Sequence, residues 1–193
     1  TFKLQLLYAG VVVLEKIETF DAASVDTGKA IWKALNKNND IEEALNLINN
    51  AMPETLKLQD LHAQTILMLA AEKGKGDVVK LLLDKGLDIN QADIYNKTPL
   101  MFAVEKGHKD IVEELLKRGA KTGDKLNYGS HMTALILAAQ NGHKDVVELL
   151  IKEKVDINQT DDKGQTALML AAQNGHKGIV EFLIKEKVDI NQA

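Results

Sequence analysis

The sequence predicts an all-α solenoid of stacked helix-turn-helix units joined by extended, hairpin-like turns. Three observations carry that reading. A phrase returns four times, starting at Thr65, Thr98, Thr133 and Thr166. The steps are 98−65 = 33, 133−98 = 35 and 166−133 = 33 residues, a period that marks a repeat array. Composition agrees. Apolar residues make up 45% of the chain and aromatics only 4%, which suits Leu, Ile, Val and Ala packed between close helices.

Taken in chain order, residues 1–29 read as an N-terminal extension that covers the first unit. Leu4, Leu7, Val11 and Leu14 fit a helical stripe, yet Val11, Val12 and Val13 are β-branched and Gly10 interrupts the run. Helix and hairpin both stay open, because short apolar runs do not separate them. Leu4 to Leu14 also resembles the apolar part of a secretory signal, although only Lys3 precedes it. It is about half as long as the ~20 residues that a spanning helix requires. Residues 30–59 read as a degenerate capping unit. Its two helices lie around Ala30–Asn36 and Ile41–Ile48, and Pro53 disturbs the spacing before Asp60. The charged and Asn-rich positions suit a polar outer cap.

Four regular units follow, at 60–91, 92–124, 125–159 and 160–193. The last shows the logic. Asp161-Asp162-Lys163-Gly164 is a turn sequence. Thr166 is placed to cap a short helix carrying Leu168, Leu170, Ala171 and Ala172, and Gly175 ends it. Ile179, Val180, Leu183 and Ile184 recur at helical spacing in a second helix. Residues 188–191 run extended toward another turn. The unit 125–159 has two extra residues at its turn tip. Removing Ser130 and His131 restores the regular phrase. The insertion reads as a contact, as a tolerated loop, or as the Gly-Ser-His-Met string that cleavage of a common expression tag leaves behind. Residues 138–159 and 171–192 differ only at Asp145/Gly178, Val146/Ile179 and Leu149/Phe182. Such twins point to recent duplication or a designed consensus array. The apolar faces of the last helices lead us to expect further repeats, a cap or a partner beyond Ala193.

The Gly-x-Thr-Ala-Leu, Ala-Ala-x-x-Gly-His and Val-Val-x-x-Leu-Leu phrases, in that order and at this period, closely resemble the ankyrin repeat. The likeness covers the four regular units, about two-thirds of the chain. It implies a non-catalytic protein-interaction scaffold whose ligand surface is concave, built from turn tips and the exposed side of the first helices. Carried onto this sequence, the tips give Leu61, His62, Gln64, Ile94, Tyr95, Lys97, Tyr128, Ser130, His131, Met132, Asp162, Lys163 and Gln165. The helix positions are Glu72, Lys73, Glu105, Lys106, Gln140, Asn141, Gln173 and Asn174. Tyr95 and Tyr128 are the expected anchors, since aromatic residues dominate interface energetics.

Other chemistries find little support. Net charge is −4 with both signs interspersed, so no basic footprint for nucleic acid is expected. Cysteine is absent, which excludes thiolate chemistry and leaves the redox compartment open. His108, His143 and His176 recur once per unit, roughly 10 Å apart if helices pack at their usual distance, too far to share a metal. They read as loop residues that satisfy local hydrogen bonds. No phosphate-binding glycine loop is present, and a regular array supplies no cleft for paired carboxylates. We therefore expect no catalytic residue, no metal and no cofactor, with another protein or peptide as partner. The alternatives are a targeting arm of a larger enzyme or secreted bacterial effector, and an engineered array. A cytoplasmic setting is the first reading.

Overall fold

The computed structural model describes residues 7–8, 11–12, 22–38, 40–123 and 132–186. Near the N-terminus, β1 (Leu7–Tyr8) pairs antiparallel with β2 (Val11–Val12). Then come α1 (Ala22–Lys33), a π-helical turn (Ala34–Asn38), α2 (Ile41–Asn50) and a single turn, α3 (Pro53–Leu56). The regular part alternates short inner helices with longer outer ones. The inner set is α4 (Ile66–Glu72), α6 (Pro99–Lys106), α8 (Ala134–Gln140) and α10 (Ala167–Gln173). The outer set is α5 (Gly76–Asp84), α7 (Lys109–Lys117), α9 (Lys144–Lys152) and α11 (Lys177–Lys185). Each inner helix packs on the next inner helix, and each outer helix on the next outer one. The result is the all-α, two-layer stack that the period predicts.

An inner helix of seven or eight residues is too short to be stable alone. Its stability comes from burial on nearly every side. Ile66 to Ala71, Pro99 to Val104 and Ala134 to Ala139 are all buried. The alanines in these runs let neighbouring backbones approach closely, which is why the core needs few aromatics. Outer helices bury a single stripe: Val78, Val79 and Leu82, then Ile111, Val112 and Leu115, then Val146, Val147 and Leu150. That spacing is the signature of a helix with one face in water. In α10 the pattern thins. Leu168 and Met169 are half-buried, and Ala172 is exposed, whereas their counterparts in α8 are covered.

The first unit departs from the sequence reading. α1 starts at Ala22 rather than Ala30, so one helix runs through the boundary drawn at residues 29 and 30. Gly28 sits inside this helix for a packing reason. A Cβ there would lie 2.4 Å from Leu58 Cδ1, so the glycine admits the chain that follows α3. α1 touches α4 in the inner layer, and α2 touches α5 in the outer layer. The unit thus stacks in register with the others despite its degenerate sequence.

Capping follows the threonines, with one exception. Thr65, Thr98 and Thr166 each accept from the backbone N–H three residues on, at 3.2, 3.4 and 3.3 Å. Thr133 occupies the same position of α8, but its Oγ1 is buried without a partner. A cap of this kind is worth about 1 kcal/mol, whereas an unpaired buried hydroxyl contributes nothing favourable. Thr98→Ala is therefore expected to destabilise by about 1 kcal/mol and Thr133→Ala to be neutral or stabilising. Urea unfolding of the two variants checks this, and equal losses would refute the assignment.

Among the described residues three non-glycines have positive φ; Asn96 (φ 60°) is of a type that tolerates it, and the other two carry backbone strain that glycine relieves elsewhere in the array. Ala63 (φ 59°) holds the left-handed turn position that Gly164 (φ 73°) fills in the last unit. Lys154 (φ 60°) follows α9 where Gly86 and Gly119 follow α5 and α7. A side chain in this region costs about 1 kcal/mol. Ala63→Gly and Lys154→Gly should each raise Tm, less a few tenths of a kcal/mol for glycine's added freedom when unfolded. A fall in Tm at both sites would contradict this account.

Candidate functional site: the turn tips and the inner-helix ends

The tips are built by one aspartate each. Asp60, Asp93 and Asp161 start the three described turns. Asp93 and Asp161 are buried, while Asp60 is half-buried. Each uses Oδ1 to accept two backbone N–H groups. Asp60 takes those of His62 and Gln64, Asp93 those of Tyr95 and Lys97, and Asp161 those of Lys163 and Gln165, all at 2.8 to 2.9 Å. The backbone closes the loop a second time, from Asp N to the carbonyl four residues on, at 3.0 to 3.1 Å. A tip held at both ends presents its central side chains outward with little freedom. Adjacent tips are also tied together, because Ile94 N donates to His62 O at 3.0 Å.

What the tips present changes along the stack. The first carries Leu61 and the second Ile94 and Tyr95, which are 48%, 54% and 37% exposed. The His62 and Tyr95 rings stack across the junction, with centroids 6.2 Å apart and planes inclined by 26°, within the range of attractive aromatic pairs. The last tip carries Asp162 and Lys163 at the corresponding places, both exposed. Met132 is half-buried and packs against the core instead of standing clear. Tyr128, Ser130 and His131 lie outside the described residues.

The helix positions sit beside the tips, and side-chain pairs bind the two together. Lys97 Nζ pairs with Glu105 Oε2 and lies 4.2 Å from the Phe102 ring centroid. In the last unit the same two positions, eight residues apart, hold Gln165 and Gln173, whose amides meet at 3.4 Å. Lys106 reaches back to Glu72 of the preceding inner helix at 3.8 Å. Four of the residues expected to meet a partner thus neutralise one another. Lys73 and Asn141 are exposed at the helix ends, and the Asn141 side chain caps Leu137 O at 2.8 Å. Gln140 is half-buried.

The recurrent histidines do more than satisfy local bonds. Each backbone N–H closes the end of its own inner helix: His108 to Ala103 O, His143 to Ala138 O and His176 to Ala171 O, at 2.9 to 3.1 Å. Each ring reaches into the preceding unit. His108 Nε2 meets Glu72 O, His143 Nε2 meets Glu105 O and His176 Nε2 meets Gln140 O, all at 2.9 Å. A carbonyl oxygen only accepts, so Nε2 carries the proton. These carbonyls belong to the last turn of a helix and have no partner within it. The ring lies over the glycine that follows. A Cβ on Gly107 would come within 2.5 Å of His143 Nδ1, and one on Gly142 within 2.6 Å of His176 Cε1. The sequence shows the recurrence of Gly-His but not the partner, which lies 36 or 38 residues back.

The perturbed acids and bases lie on the outer layer, away from the tips. The hydrogen bond from Lys117 holds Glu113 below the ordinary carboxylate range, and the same bond raises Lys117. Asp84 and then Glu114 raise Arg118, which links α5 to α7. All are exposed or half-exposed ion pairs, and none sits in a cleft with a nucleophile. Among the described residues, no group of three His, Asp or Glu residues is disposed to hold a metal. Among them too, no helix is long and apolar enough to cross a membrane.

A family model described as ankyrin repeats (3 copies) matches residues 30–125 and again residues 121–193. The chain belongs to the ankyrin repeat family. Ankyrin repeats are generally protein–protein interaction modules and typically act without catalysis. The matched span starts within α1, so it includes the degenerate unit that precedes the four regular ankyrin units. No curated protein matches the chain.

The histidine clasp yields a graded expectation. Gly107 and Gly175 both have φ near +70°, but only Gly107 lies beneath a ring. Gly175→Ala should cost about 1 kcal/mol for the backbone alone. Gly107→Ala should cost about 2–4 kcal/mol, because overlap with His143 adds to it. The double variant Gly107→Ala, His143→Ala should lose less than the sum of the two single changes. Chemical denaturation decides, and equal costs at the two glycines would refute a clasp.

Proposed function

We propose that this ankyrin array is a non-catalytic scaffold that binds another protein or an extended peptide along the surface formed by its turn tips and inner-helix ends. One observation carries the reading. Three large apolar side chains, Leu61, Ile94 and Tyr95, stand exposed on tips whose backbones are pinned by buried or half-buried aspartates. Exposed apolar groups on a rigid frame are what a binding surface requires, since little order is lost on association. The tip-to-helix pairs at Lys97–Glu105 and Gln165–Gln173 make this surface continuous within a unit. The clasp makes it continuous between units. In this reading Tyr95 and Tyr128 are anchors, and Lys73, Lys106, Gln140, Asn141, Asp162 and Lys163 form the surround. Nucleic acid is a poor fit to a chain of net charge −4.

A photo-crosslinking residue at Tyr95, used in a cell extract, should give adducts with a specific protein. A matched probe at Lys80 of α5 should not. The Tyr95→Ala variant should weaken capture of that protein by ~tenfold or more while leaving the helical CD melting curve within about 2 °C. Adducts formed only from Lys80 would overturn the placement of the surface.

A further inference from the structure

The chemistry along this surface is uneven, and that unevenness says what kind of partner fits. Resting on the scaffold reading proposed above, we infer that the partner is an extended, uncharged peptide segment with aliphatic or aromatic anchors seated on Leu61, Ile94 and Tyr95. Three observations converge. First, among the described residues, the large exposed apolar side chains at the tips fall on two adjacent turns, joined by the Ile94 N to His62 O bond and by the His62–Tyr95 stack. They therefore form one patch. Second, four of the charges bordering that patch are already satisfied. Lys97 is held by Glu105 and the Phe102 ring, and Glu72 by Lys106. A charged partner would have to displace these bonds and gain little, because exposed or half-exposed pairs are worth at most about 1 kcal/mol each.

Third, the corresponding positions farther along the stack carry amides in place of ions. Gln165 and Gln173 replace the Lys97–Glu105 pair, and Gln140 and Asn141 replace Glu105 and Lys106. A carboxamide offers both a donor and an acceptor. That is the complement of a peptide backbone, not of a charged side chain. Units stacked about 10 Å apart span the length of roughly ten extended residues. Apolar anchors would sit at one end of such a segment, and its backbone would run over the amides.

The test uses the full chain and a phage-displayed library of random linear peptides. Enriched peptides should carry two or more large apolar residues and a net charge near zero. Their affinity should change less than ~threefold between about 0.05 and 0.5 M salt, because no exposed ion pairs are formed. Ile94→Ser should weaken them by ~tenfold or more. Its CD spectrum should be unchanged, since the side chain is half exposed. Gln173→Ala should weaken them less, and Lys73→Glu should have little effect. A charged consensus, affinity that collapses with salt, or indifference to Ile94→Ser would each overturn this inference. In those cases the scaffold reading survives if Gln173→Ala still weakens binding. Peptides displaced only by Lys80→Glu on α5 would overturn both. Failure to enrich any peptide overturns this inference alone, because crosslinking from Tyr95 tests the scaffold reading independently.

Discussion

At each junction between the regular units one imidazole performs two tasks. Its backbone N–H ends the inner helix of its own unit, and its ring Nε2–H satisfies a carbonyl at the end of the preceding inner helix. A glycine in the left-handed region lies beneath the ring, where a Cβ would collide with it. The constraint is mutual. Without the glycine the ring has no room, and without the ring a helix-end carbonyl is left to solvent. The small inner-helix residues can then pack at close range, and the outer helices need to bury only one stripe.

This arrangement separates the packed core from the turn tips. The buried runs of α4, α6 and α8 and the clasps face neighbouring units and leave the tips untouched. The tips hold their own shape through an aspartate that accepts two N–H groups. Side chains at the centre of a tip are therefore free to vary with little cost to the fold. That is consistent with Leu61, Ile94 and Tyr95 in two turns and Asp162 and Lys163 in another. The inner-helix pairs behave similarly. Lys97–Glu105 and Gln165–Gln173 use the same two positions, eight residues apart, with different chemistry.

The regular parts of the fold were legible in the sequence because they depend on local rules. A period of 33 residues, a capping threonine, a left-handed glycine and a stripe at helical spacing each show within one unit. What remained hidden depends on residues far apart in the chain. The start of α1 at Ala22 was not read from the sequence, because the helix runs through Gly28, which makes room for Leu58 thirty residues on (58−28 = 30). The histidines read as loop residues with local bonds, but their acceptors lie 36 or 38 residues back. The tip residues could be placed by position. Their pairing could not, because nothing in the spacing tells that Lys97 turns to Glu105 and Phe102 instead of to a partner.

The same pairing alters which surface residues have free energy to offer a partner. From sequence, Lys97, Glu105, Glu72 and Lys106 rank as charged candidates, and Leu61 and Ile94 rank below the tyrosines. In the folded chain the four charges cancel, while Leu61 and Ile94 are more exposed than Tyr95. Desolvating an apolar side chain on binding releases free energy in proportion to its area, whereas desolvating an ion pair that is already satisfied returns little. Leu61 and Ile94, ranked lower from sequence, are therefore the side chains with more apolar area open to contact. A rigid frame matters most for such a surface, because apolar contact is non-directional and takes its specificity from shape. Shape is what the clasped, aspartate-pinned array supplies.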